Sequence, residues 1–171
     1  MWLLFLDKFN GISMIPDQMW TGEGDIQFFT DSSAGVGFGG FFANQWFQDC
    51  WRGNVGQTLS IAWLEFFPIL VAITLWGHLL KGKRIILRCD NKAVVAIINK
   101  QTSKCPKIMK MVRFFVLQCL KFNVTFYANH IPGKENNIAD ALSRFQMRRF
   151  RELAPQAAPE GTPVPEFLWD L

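Results

Sequence analysis

Four acidic residues, Asp31, Glu65, Asp90 and Asp140, stand where side chains from distant stretches of the chain can meet. Asp31 and Asp90 close the strand-like runs IQFFT and RIILRC, Glu65 lies near the start of an apolar helical stretch, and Asp140 sits in the first turns of a last amphipathic helix. Carboxylates gathered in a low-dielectric site repel one another, and divalent cations relieve that repulsion. Hard oxygen ligands with no soft partner nearby suit Mg2+, with Mn2+ as the alternative. Two such ions roughly 4 Å apart can activate water and stabilise the leaving oxygen in phosphodiester cleavage. Taken singly, each acid reads more readily as an ordinary cap, turn or surface residue than as a ligand.

Those acids need elements to carry them. Ile26–Thr30 reads as a strand, Gly35–Asn44 as a second, rich in Gly and Phe, and Gln45–Trp51 as a third, making an antiparallel meander. An apolar helix follows from about Ser60, its N-cap, to Leu80; Pro68 predicts a later start or a bend near Leu64. Arg84–Cys89 reads as a strand buried on both faces. Helical spacing recurs over Asn91–Gln101 and again at Ile108, Met111, Val112, Phe115 and Cys119. Val124, Phe126 and Ala128 alternate as a strand, and Ile138, Ala141, Leu142 and Phe145 mark the final helix. This order predicts an α/β fold, a mixed sheet flanked by helices. Residues 1–24 read as a lead-in with turn signals at Asn10-Gly11 and Gly22-Glu23-Gly24, residues 25–150 as the folded domain, and residues 151–171 as a Pro-rich tail or linker outside the core, including Trp169.

Charge is uneven along the chain. Residues 1–80 hold two Lys/Arg and seven Asp/Glu, whereas residues 81–121 hold eleven Lys/Arg and one acid, Asp90. Such a block fits a polyanion partner or, equally, solvated helix faces. The four cysteines are widely spaced with no CxxC pair, which predicts reduced thiols and a cytoplasmic or nuclear setting. Ile61–Leu80 has the length of a membrane span, but Glu65 and Pro68 lie inside it, and a carboxylate in hydrocarbon is costly, so no membrane partner is expected. The run Gly35-Val-Gly-Phe-Gly-Gly lacks the Lys-Ser/Thr of a phosphate loop and reads as a strand passed closely by another segment.

The stretch from His130 to Arg144, HIPGKENNIADALSR, resembles the C-terminal signature of retroelement ribonuclease H domains, which has the form PGKxNxxADALSR in gypsy-type and related elements. FFTDSS from Phe28 resembles the first strand of that family, WLEFFPILVAITLWG from Trp63 its Glu-bearing helix, and RCDN from Arg88 its third acid-bearing strand. The motifs occur in the family order Asp–Glu–Asp–Asp over about residues 25–146, unlike transposase-type integrases, whose Glu comes last. The flanks FLDKFNGISMI and LAP…FLW are similar to DIRS-type elements, in which the domain follows a reverse transcriptase; the chain then reads as part of a longer polyprotein.

The resemblance implies a mixed five-stranded sheet, three antiparallel strands and then two further ones, of the type 1 ribonuclease H kind. It implies an endonuclease cutting the RNA strand of an RNA–DNA hybrid with two Mg2+ ions held by Asp31, Glu65, Asp90 and Asp140. His130 matches the mobile-loop histidine that aids proton transfer or product release; imidazole chemistry suits that work. Ser32, Ser33 and Asn91 are expected near the nucleic-acid strands, where a 2′-hydroxyl distinguishes RNA from DNA. Lys92, Lys107, Lys110 and Arg113 are expected on backbone phosphates, because no separate basic protrusion is visible. Two alternatives stay open: a catalytically inactive nucleic-acid-binding remnant, and a membrane protein built on Ile61–Leu80.

Overall fold

The computed structural model describes residues 6, 7 and 28–171. The lead-in turns and the first residues of the expected Ile26–Thr30 strand lie outside the described residues.

Strands β1 (Phe29–Ser33), β2 (Gly37–Phe42) and β3 (Gln45–Cys50) form an antiparallel sheet in that order. The β2–β3 connection is the two-residue turn Ala43-Asn44, with φ of 48° and 65°. Positive φ at both central positions gives the twist that a tight hairpin needs. The glycines of β2 act by being small. A Cβ on Gly39 would stand 2.5 Å from the Leu142 Cβ, and one on Gly40 would meet the Phe47 ring at 2.6 Å. The Gly-rich run is therefore a strand under close cover.

After a short helix α1 (Val55–Thr58), helix α2 runs Ile61–Trp76 and continues as a 3₁₀ turn over Gly77–Leu80. Ser60 caps α2, its Oγ accepting from the Trp63 N–H. The helix starts at once and passes through Pro68, so the expected late start does not occur. Burial on most sides explains why: Leu64 and the whole run from Phe66 to Ile73 are interior, and tertiary packing outweighs one lost backbone bond. By length and composition Ile61–Leu80 could cross a membrane, but 72% of its apolar window is buried inside the fold.

Strand β4 (Arg84–Cys89) pairs in parallel with β5 (Thr125–His130) across helices α3 (Lys92–Lys100) and α4 (Pro106–Phe122). A parallel pair requires such a crossover. Burial in β4 alternates, with Ile85, Leu87 and Cys89 interior and the intervening residues half-buried, rather than covering both faces as the apolar run predicts. The fold is thus α/β, with a three-stranded antiparallel sheet and a two-stranded parallel sheet flanked by helices. β1 lies beside β4, but no ladder joins the two sheets among the described residues.

The main core stacks rings of α2 on the antiparallel sheet and on α4: Phe67 meets Phe38 edge-on at 5.2 Å, and Phe66 lies 5.7 Å from Phe115. The expected last helix is two, α5 (Asn137–Ser143) and α6 (Met147–Leu153), broken at Phe145 with φ of 57°.

Residues 151–171 depart from the expected tail without core packing. Ala154, Ala157 and Leu168 are buried, and Trp169 lies 5.0 Å from the Phe67 ring. The segment also pairs with the exposed margin of β3: the Ala158 and Thr162 N–H groups donate to the carbonyls of Asn44 and Trp46, both at 2.7 Å. Arg52 clamps Glu166 through Nη2 at 2.7 Å and stacks over Trp169. Composition hid this, because a few spaced anchors, not a periodic face, hold a Pro-rich chain.

Candidate metal centre

Three of the four expected acids converge. Asp31 occupies the middle of β1 opposite Gly39, not its end, because the strand continues to Ser33. Glu65 lies in the second turn of α2, and Asp90 directly follows β4. One carboxylate oxygen from each lies within 4.8 Å of the others. β1 and β4 run side by side, which brings a mid-strand and a strand-end residue together, and α2 packs over β1 and β2.

Burial is the largest influence on the electrostatics of the buried acids. Burial raises Asp31 to about 6; the Ser143 hydroxyl opposes this, and the charges of Asp90 and Asp140 add to it. Glu65 rises further, to about 8, through burial and then the charges of Asp31 and Asp90, while the Ser32 hydroxyl and N–H pull the other way. The Cys89 thiol is pushed up to about 12, chiefly by burial, and is not a ready metal ligand. Three hard oxygen donors at this spacing fit a divalent cation such as Mg2+ or Mn2+.

Asp140 stands apart from this group. Its Oδ1 accepts from Arg144 Nε at 2.7 Å and its Oδ2 from Arg149 Nη1 at 2.6 Å. Burial pulls Asp140 upward, but the two guanidinium groups outweigh it and hold the carboxyl below its ordinary range. The expected quartet is therefore a triad with a neighbour whose charge reaches Asp31.

The other expected residues take varied places. His130 ends β5 opposite Cys89 instead of lying in a loop, and its Nε2 donates to the Asp90 carbonyl at 3.1 Å. Ser32 serves Glu65, and the Ser33 carbonyl accepts from Trp51 Nε1. The Asn91 Oδ1 caps α3, accepting from the N–H groups of Ala93 and Val94. Lys92 opens α3, exposed and next to the triad in sequence. Lys107, Lys110 and Arg113 lie exposed on α4, an element that carries none of the triad; Lys110 Nζ donates to the Asp170 carbonyl.

Three contributors carry no role in the sequence reading although they lie inside the quoted signature. Ser143 is fully buried and donates to Asp31 Oδ2 at 2.6 Å. Asn136, 1% exposed, donates to the Thr30 carbonyl, so α5 is tied to β1 at both ends. A Cβ on Gly133 would stand 3.2 Å from Asp90 Oδ2, so the loop after β5 passes close over that acid. Ser143 sits three residues beyond Asp140, a spacing that puts both on one helix flank and is the signal that was there to be read.

Comparison with known proteins gives a limited match. No family model matches the chain. The chain is 38% identical over 68 residues, 39% of its length, to Polyprotein P3 of Commelina yellow mottle virus. The matched stretch spans 4% of that polyprotein.

Proposed function

We propose that the chain is a metal-dependent nuclease of the ribonuclease H kind, hydrolysing the RNA strand of RNA–DNA hybrids within a retroelement-like polyprotein. The carrying observation is the Asp31–Glu65–Asp90 triad, whose carboxylate oxygens lie within 4.8 Å of one another. In this reading β1 and β4 are the centre of one mixed five-stranded sheet. The similarity to part of a viral polyprotein supports a polyprotein origin; an upstream reverse transcriptase and a cytoplasmic or nuclear setting are further parts of the proposal.

Asp31, Glu65 and Asp90 would hold the cations. Bound there, Mg2+ or Mn2+, as a pair, supplies a nucleophilic water and neutralises charge on the leaving oxygen. Ser143 and Ser32 keep the Asp31 and Glu65 carboxylates in place. His130, fixed by the Asp90 carbonyl, lies where a proton can be passed to solvent. Lys92 and the cations of α4 bind phosphates without reading sequence.

A second reading, a nucleic-acid-binding remnant without catalysis, is favoured by Asp140, both of whose oxygens are already engaged by arginines. A labelled RNA–DNA hybrid incubated with the full chain and Mg2+ separates the two. The nuclease reading expects RNA-strand cleavage that EDTA and Asp31→Asn both abolish. Binding of hybrid with no cleavage in Mg2+ or Mn2+ would establish the remnant.

A further inference from the structure

Arg144, the C-cap of α5, and Arg149, on α6, hold Asp140 from either side of a helix break. On one continuous helix, residue 149 would lie nine positions past Asp140, about two and a half turns, and would face away from it. The break at Phe145 brings it back, at the cost of a non-glycine residue in the left-handed region with φ of 57°. The pair lies at the rim of the triad. Ser143, between Asp140 and Arg144 in sequence, bonds Asp31 directly, and the charges of both Asp140 and Arg144 are felt at Asp31.

Neither arginine is spent. The side chains of Arg144 and Arg149 are 50% and 40% exposed. Arg144 uses only Nε, and its two terminal nitrogens make no hydrogen bond among the described residues. Arg149 adds Gln146 Oε1 at 2.9 Å and a longer contact to Asn137 Oδ1 at 3.3 Å. A guanidinium fork matches a phosphodiester in the same bidentate way that it matches a carboxylate. A carboxylate neutralised by two such forks is a poor cation ligand, and a phosphate arriving on the forks competes for the same donors.

We propose that Arg144 and Arg149 form a phosphate-binding latch: they hold Asp140 away from the triad in the free protein, and a nucleic-acid backbone phosphate takes their donors and releases Asp140 toward the cation site. This rests on the nuclease reading above, and it makes completion of the metal site depend on substrate.

The test uses the full chain and two readouts other than cleavage. In EDTA, binding of a fluorescent RNA–DNA hybrid is followed across KCl concentrations for the wild type, Arg144→Met, Arg149→Met and the double variant. Each single change is expected to weaken binding at least threefold and to lower the slope of log affinity against log salt by about one. Calorimetric titration of Mn2+ without nucleic acid is expected to show about fivefold tighter binding in the double variant, a gain that adding Asp140→Asn removes. Arg144→Met alone, which loses a single hydrogen bond, keeps the test open if the double variant fails to fold. Unchanged hybrid affinity and salt slope, or unchanged or weaker Mn2+ binding once the arginines are gone, would show a static ion pair and overturn the latch while leaving the nuclease reading intact. Failure of the wild type to bind Mn2+ at all would overturn both.

Discussion

Two acidic regions lie side by side in this protein and are treated in opposite ways. Asp31, Glu65 and Asp90 share a mostly enclosed space, and burial with mutual repulsion pushes the first two up to about 6 and about 8. Asp140, one turn before the Ser143 that contacts Asp31, is held by two guanidinium groups and kept below its ordinary range. Two arginines, Arg144 and Arg149, are engaged on Asp140, which is less buried than Asp31. Buried carboxyls pushed this far up and gathered in one place mark a candidate functional site.

The sharpest way to break the comparison is to remove a charge from the triad. Glu65→Gln is expected to abolish Mg2+-dependent cleavage, by about a thousandfold or more, since it deletes a cation ligand outright. The same change should raise the thermal midpoint of the cation-free protein, because it removes a buried carboxyl whose charged form is disfavoured first by burial and then by the charges of Asp31 and Asp90. A calorimetric scan in EDTA showing a lower midpoint would mean that Glu65 is compensated by groups other than those described.

pH tests the same asymmetry without mutation. The folded values of Asp31 and Glu65 lie above their ordinary values of 3.8 and 4.5, so the folded state binds these protons more tightly than the unfolded chain. Their contribution to stability is full below about pH 4 and is lost as pH rises through about 6 and then about 8, a loss of several kcal/mol in all, to order of magnitude. Denaturant titrations in EDTA across that range should show the decline, and millimolar Mg2+ should reverse it most strongly at the alkaline end. Stability that climbs through this window in EDTA would contradict the electrostatic account.

The compensated region should respond weakly. Asp140→Asn exchanges two partly exposed ion pairs for neutral contacts and is expected to cost about 1 kcal/mol or less in urea unfolding. Ser143→Ala falls between the regions. It removes a fully buried donor from Asp31, costing about 1–2 kcal/mol at pH 8 and less at pH 5, where Asp31 takes up its own proton. An equal loss at both pH values would assign Ser143 a packing role alone.

Much of this architecture is legible in the sequence. Ser60 as the cap of α2 and the limits of β4 match the reading from periodicity, because both rest on local signals: a hydroxyl three residues before a helical N–H, and a run of β-branched residues bounded by turns. Asp90 was legible as a strand-end residue and Glu65 as one near a helix start, whereas Asp31, expected at a strand end, lies mid-strand. The division of the quartet was not legible, since the partner of Asp140 at position 149 depends on a chain reversal at Phe145 that no glycine announces. The packed C-terminal segment was equally hidden. Its anchors, Ala154, Ala157, Leu168 and Trp169, are spaced by prolines and follow neither the helical nor the strand period.

The central claim is that Asp31, Glu65 and Asp90 together hold divalent cations. Anomalous diffraction from crystals of the full chain grown with Mn2+ tests it directly. The account predicts anomalous peaks ligated by oxygens of all three residues. Well-ordered crystals with no peak there at saturating Mn2+, or with Mn2+ bound elsewhere and the triad bare, would contradict it.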